Sequence, residues 1–370
     1  MHRVRPTALV VVWLSACTGE PGPQQVNTGG GGEGTSSGTD GGSGATGTGQ
    51  TGTGTGTGTG SGGGTGTGSG GGTGGTDGSG TGGGEVLPEL PPCPTVGEEV
   101  TWGAVAEPRI REASGLAHSA ANAGVLWTHN DAGNQPELFA FAEDGRHLGV
   151  WQVETTMRDW EDLDRGFDAT LGADAIYVGD IGDNGRTRTE YRVLVVAEPA
   201  VDAAATEPVS GLLTPAATVT LTYPEGRSYD SESLAVDPLT GDLILVVKSG
   251  DGISSVYRKA APHLDGEVVE LEWVGSLAFG TEPLVGNGRT TAASFSPDGA
   301  WFAIRTYTHA YLWRRPEAVS VGLMLTGPPC DLVAPTENQG EAIGFRADGT
   351  GYITVSEGNN PAIFTKDLTP

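Results

Sequence analysis

The sequence predicts an all-β chain folded as a β-propeller of five blades, with six as the alternative count. Three observations carry this. A strand–turn–strand unit recurs five times along the second part of the chain. Each unit is followed by further β-rich sequence, so that repeats of roughly 40–70 residues hold four strands each. Helix signal is nearly absent, with residues 200–206 the one candidate turn of helix.

Residues 230–248, D-S-E-S-L-A-V-D-P-L-T-G-D-L-I-L-V-V-K, are the clearest unit. Pro238 fixes φ and Gly241 accepts positive φ, so the break between two apolar runs reads as a hairpin. The other units span residues 114–129, 159–180, 291–305 and 340–356. Third and fourth strands are expected at 137–141 with 148–153, at 191–196 with 217–223, at 255–258 with 268–277, and at 310–314 with 319–325. The last copy has only one further strand, at 362–366. The missing one is assigned to residues 98–106, so the chain ends share a blade and no sheet edge is left open. If six blades are present, the extra one lies within 161–232.

The chain begins differently. Arg3 and Arg5 precede an apolar run at 8–14, too short for a bilayer, where roughly 20 apolar residues are needed. Residues 14–17, L-S-A-C, resemble the bacterial lipobox, with Cys17 as the lipidated first residue of the mature protein. Residues 1–17 are thus expected to be a lipoprotein signal peptide. An ordinary secretory peptide with an incidental cysteine is the alternative. Residues 18–92 are a Gly/Thr/Ser-rich tether that buries nothing, with a reach of roughly 40–50 Å. The propeller occupies 93–370. The expected location is the cell envelope, at the outer membrane or cell surface, with the lipid as the only membrane contact.

The remaining cysteines, Cys93 and Cys330, are expected to form a disulfide in an exported protein, two separate thiols being the alternative. Asp and Glu number 46 against 20 Lys and Arg, a formal charge of −26. That excludes a nucleic-acid partner, whose phosphates need a basic surface. A monomer is expected.

Propeller geometry sorts the loops into two faces. The turns between strands 1 and 2 are generic hairpin sequence. The loops before strand 1 and after strand 2 carry the chemistry. His129, Asn130, Asp131, Trp160, Arg186, Lys248, Arg305, Tyr307 and Glu357 are candidate ligand-binding residues, with Trp160 as a stacking surface. Asp180, Asp183, Asn184, Glu232 and Glu341 are candidate metal ligands, with Glu161 and Asp162 beside them, because oxygen donors on loops suit calcium. If the protein is an enzyme, Glu161, Asp162, Glu232 and Glu341 are the candidate acid–base carboxyls. Polar residues that merely satisfy strand starts and channel waters are the plainer reading. No G-x-S-x-G, P-loop, H-E-x-x-H or C-x-x-C motif is present.

E-A-S-G-L-A, L-W-T-H-N-D-A-G, D-W-E-D-L, Y-V-G-D-I-G-D-N and Q-G-E-A-I resemble a family of exported bacterial WD40-like β-propellers of unknown function. A looser similarity links the chain to esterase-like and phytase-like propellers, which are calcium-dependent. The resemblance implies a propeller at the cell envelope; it carries no catalytic residue over. Two functions are therefore expected to compete. One is a surface-anchored propeller binding a metal, calcium above others, and an unidentified ligand or surface protein at the acidic channel mouth. The other is a metal-dependent hydrolase of phosphate esters or glycosides using carboxylates of the same face.

Overall fold

The computed structural model describes residues 86–280, 288–337 and 339–369. The expected signal peptide with Cys17, and the expected tether up to residue 85, lie outside the described residues.

Five sheets form five blades around one axis. Blade 1 runs Ala113–His118, Val125–Asn130, Glu137–Ala142 and His147–Val153 from axis to rim. Blade 2 runs Trp160–Asp168, Ala173–Asp180, Tyr191–Ala197 and Ala217–Thr222. Blade 3 runs Ser231–Val236, Leu243–Val247, Ile253–Lys259 and Glu272–Ala278. Blade 4 runs Thr290–Phe295, Trp301–Thr306, His309–Arg314 and Cys330–Val333. Blade 5 runs Gly340–Phe345, Gly351–Ser356 and Ala362–Thr369, and takes its rim from the N-terminal strands Val100–Ala104 and Thr95–Val96. The innermost strands neighbour one another in a closed ring. No sixth blade lies within 161–232.

Period-two alternation builds the core between blades. Leu234 and Val236 pack against blade 2, while Ala235 faces blade 4. The same division gives an apolar layer at each blade junction, including Phe139 and Leu116 against Ile353 and Val355 where the ring closes. The hairpins behave as their sequences require. Asp237 accepts from Leu239 N at 3.0 Å and Thr240 Oγ1 at 3.0 Å, and Gly241 takes φ +77°.

Three segments differ from expectation. Residues 319–325 are not a strand: Val321–Met324 is one short helix, capped by Ser320, whose Oγ accepts from Leu323 N at 3.2 Å. Its Val321 and Met324 are buried against blades 3 and 4, so burial is met without a strand, and the rim strand of blade 4 is Cys330–Val333 instead. Residues 200–206 form turns rather than helix. The β-rich stretch 268–277 divides, because Val268–Glu270 pairs parallel with the rim of blade 2. Val209–Leu213 likewise pairs parallel with the rim of blade 1. In blades 2, 3 and 4 the connection between the third and fourth strands thus reaches back and covers the preceding blade's rim. Edges that would otherwise invite pairing are closed.

The last residues of the expected tether also dock. Leu87 packs against the core between blades 3 and 4, and the side chains of Leu87 and Leu90 line Gly327. Just beyond, Cys93 and Cys330 form a disulfide across a sequence separation of 237. The N-terminal segment is therefore bonded to blade 4 and hydrogen-bonded into blade 5, across the junction of those two blades. Closing so long a loop restricts the unfolded chain by about 5 kcal/mol on the chain-entropy account. Cys93→Ser is expected to lower the melting temperature by roughly 10 °C. An unchanged melting curve under non-reducing conditions would show that strand pairing alone holds the closure.

Candidate metal centre at the channel mouth

Each innermost strand breaks its pairing at the same step. The register shifts between Ser114 and Leu116, Trp160 and Asp162, Ser231 and Ser233, Thr290 and Ala292, and Gly340 and Ala342. The bulged residues are therefore Gly115, Glu161, Glu232, Thr291 and Glu341. A bulge re-aims a side chain out of the strand's alternation. In three blades the re-aimed residue is a glutamate. In blade 1 it is Gly115, at φ +55°, where a Cβ would meet the backbone of Leu163. Asp131, just beyond the second strand of that blade, supplies a carboxylate instead.

Two groups of oxygens converge. Asp131, Asp159 and Glu161 each place a carboxylate oxygen within 4.8 Å of the others, and so do Glu161, Asp230 and Glu232. Glu161 belongs to both. It is 2% exposed, and its carboxylate accepts no hydrogen bond and makes no ion pair among the described residues. Gly182 leaves the room for it, since a Cβ there would collide with Glu161 Oε1 and Asp159 Oδ2. Glu341 is also buried, and its Oε2 has no hydrogen-bond partner. Lys248 lies 2.8 Å from Glu232 Oε1 and 5.3 Å from the Tyr307 ring centroid.

These carboxyls hold protons tightly. Burial, then Glu232, Asp131 and Asp159, push Glu161 well above the ordinary range. Burial lifts Glu232 to about 8, with Lys248 opposing and Asp230 and Glu341 adding to the rise. Burial, with Asp131 and Asp230 beside it, lifts Asp159 to about 6. Burial and then Glu341, Asp131 and Glu112 lift Glu357 to about 7. Buried, mutually repelling carboxylates with an unsatisfied oxygen favour a bound cation or a proton over bare charge. The donors are all carboxylate oxygens, without thiolate or imidazole, which suits a hard divalent cation.

The other candidates from the sequence fall into distinct places. Asp180 accepts from Asp159 N at 3.1 Å and is bound by Arg188, at 3.1 Å, and by Arg192, so it supports the cluster from behind. Asp183 accepts from Thr187 N, Arg188 N and Tyr191 Oη. These bonds outweigh its burial and hold its pKa below the usual value. Asn184 and Arg186 are exposed on the same loop. Asn130 closes the 109–112 turn by accepting from Arg111 N and Glu112 N. Arg305 is wholly buried, pairs with Glu337 and donates to Ala342 O at 3.0 Å.

Trp160 is fully buried and meets His129 edge-on at 5.5 Å, so it offers no stacking face to a ligand. His129 is itself buried, with a pKa depressed to about 4 by desolvation. Asp162 lies deeper in the channel. Its carboxylate accepts from Leu163 N at 2.9 Å, Leu234 N at 2.8 Å and Ala293 N at 3.1 Å, tying blades 2, 3 and 4 together. The sequence offers Asp131 as a ligand-binding residue and Glu161 as a cation ligand or catalytic carboxyl, and places Asp159 and Asp230 on the same face without an individual role. Their common signal was present: an acidic residue two positions before the bulged glutamate in D-W-E and D-S-E.

A cavity of about 510 Å³ opens away from the acidic mouth, between blades 2 and 3, against Phe167, Pro238, Leu239 and Pro262. Its acidic residues are engaged: Asp168 accepts from Tyr177 Oη at 3.0 Å and Asp237 pairs with Arg315 at 2.7 Å.

Raised carboxyl pKa values have a defined sign. Glu357, Asp159 and Glu232 keep protons in the fold that they lose in the unfolded chain, so the metal-free protein loses stability as pH rises. The window runs from the unfolded values near 4 to about 8, the folded value of Glu232. Asp183, whose pKa is lowered, acts on the acid side of that window. Melting of the chelator-treated chain should therefore fall from pH 5 to pH 8. Glu232→Gln should flatten the alkaline part, and a melting temperature rising across the window would contradict the assignment.

No family model matches the chain and no curated protein does, so the geometry of the mouth carries the functional reading.

Proposed function

We propose that this chain is an exported, lipid-anchored propeller that binds a divalent cation, calcium above others, at the channel mouth and takes a ligand or protein partner there. One observation carries the reading. Glu161 is a buried carboxylate without a hydrogen bond or ion pair among the described residues, at the junction of two oxygen triads. Calcium takes six to eight oxygens at about 2.3–2.6 Å in flexible geometry, which carboxylates from neighbouring blades, Glu161 among them, and added waters can supply. A bound ligand would meet Lys248, Tyr307 and Glu357 around the same mouth. Cys17 would hold the domain at the envelope through its lipid, with the Gly/Thr/Ser-rich stretch as spacer.

Calcium at a hundredfold excess over its dissociation constant should stabilise the fold by about 2.7 kcal/mol. Glu161→Gln should abolish the accompanying rise in melting temperature while leaving the metal-free fold intact. An equal calcium shift in wild type and variant would sink the assignment.

A second reading has one observation in its favour. Asp159 and Glu357 titrate near neutrality, at about 6 and about 7, which suits a general acid and base for ester or glycoside hydrolysis. Turnover on a panel of phosphate esters and glycosides, lost in Glu357→Gln with calcium binding retained, would establish it. No turnover across that panel leaves binding as the function.

A further inference from the structure

The two oxygen triads share Glu161 but differ in one respect. No ammonium or guanidinium forms an ion pair with Asp131, Asp159 or Glu161 among the described residues. Glu232, in the other triad, holds the Lys248 ammonium at 2.8 Å. We infer that Lys248 is the resident cation of the Glu161–Asp230–Glu232 triad, so that the mouth takes one oxygen-seeking divalent cation, at Asp131, Asp159 and Glu161. The inference rests on the cation-binding reading above.

Several features fix Lys248 in that role. Its backbone N–H donates to Asp230 O at 2.8 Å, which places the root of its side chain beside the triad. Its side chain is 16% exposed against 5% for Glu232, so the pair is screened little by water. The Tyr307 ring lies 5.3 Å from Nζ and favours a cation there. An ammonium nitrogen at 2.8 Å from a carboxylate oxygen stands close to where a metal at about 2.3–2.6 Å would stand. A second divalent ion at that position would crowd the ammonium and repel it. The other triad is not ion-paired: the Glu161 carboxylate has no hydrogen bond or ion pair among the described residues, the Lys248 charge acts on it only from beyond ion-pair distance, and Gly182 keeps a Cβ out of the space beside Glu161 and Asp159.

Removing the lysine charge should therefore change stoichiometry rather than merely weaken binding. Without it Glu232 becomes a buried carboxylate with no counterion, a costly arrangement that a second ion relieves.

Calorimetric titration of calcium chloride into the chelator-stripped full chain tests this. The expected result is one site in the wild type, two in Lys248→Met and one in Lys248→Arg. Two sites in the wild type, or one in a folded Lys248→Met, would overturn the role given to Lys248 and leave cation binding standing. No site in the wild type would overturn the cation reading and this inference together. If circular dichroism shows Lys248→Met unfolded, two further variants decide. Glu232→Gln should keep the single site with affinity within about threefold, and Asp159→Asn should lose it. Loss of calcium binding in Glu232→Gln would overturn the inference.

Discussion

Five strands crowd around one axis, and each one slips its register at the same step. That shared bulge governs the molecule. It lets the inner strands converge without continuing their alternation into the channel, and in three blades it re-aims a glutamate at the bulged position. There the mouth gains a carboxylate. Where backbone approaches too closely, as at Gly115 against Leu163, only glycine fits. The residue after the bulge in blade 2, Asp162, takes the opposite task. It spends its carboxylate on three backbone donors from three blades. Adjacent acidic residues thus serve separate ends: Glu161 is left unpaired at the mouth, and Asp162 is consumed by the scaffold.

Closure of the ring uses the same economy of short segments. The rim of the last blade comes from the N-terminus, and the disulfide from Cys93 ties that segment to the blade before it. In blades 2, 3 and 4 a connection folds back over the preceding rim, as a parallel strand twice and as a short helix once. Exposed pairing groups are thereby covered without a sixth blade.

Charge is distributed with equal consequence. The chain carries far more acid than base, yet its arginines are not spread evenly over the carboxylates. Arg188 and Arg192 hold Asp180, Arg305 holds Glu337, and Arg315 holds Asp237. These are framework pairs. At the mouth Lys248 alone is ion-paired to a triad carboxylate among the described residues. Carboxylates left together and out of water raise one another's pKa, and that is what makes the place receptive to a cation.

The sequence by itself determined the architecture. Repeated strand–turn–strand units, hairpin turns with Pro and Gly at the positions their φ values demand, and an unfinished last repeat made five blades and a shared closing blade legible. They also singled out the face on which the acidic triads gather, because strand order fixes which loops open together. Tertiary structure decided the rest. Whether V-G-L-M was strand or helix depended on a pocket between blades 3 and 4 that no local pattern records. Whether an aspartate bound backbone, arginine or nothing depended on partners up to 131 residues away, as with Asp162 and Ala293. Asp180, Asp183, Glu161 and Glu232 looked alike in the sequence, as acidic residues at strand ends on one face. Only the geometry of the bulge and the placement of the arginines separated the carboxylates that hold the fold from those gathered in the oxygen triads of the mouth.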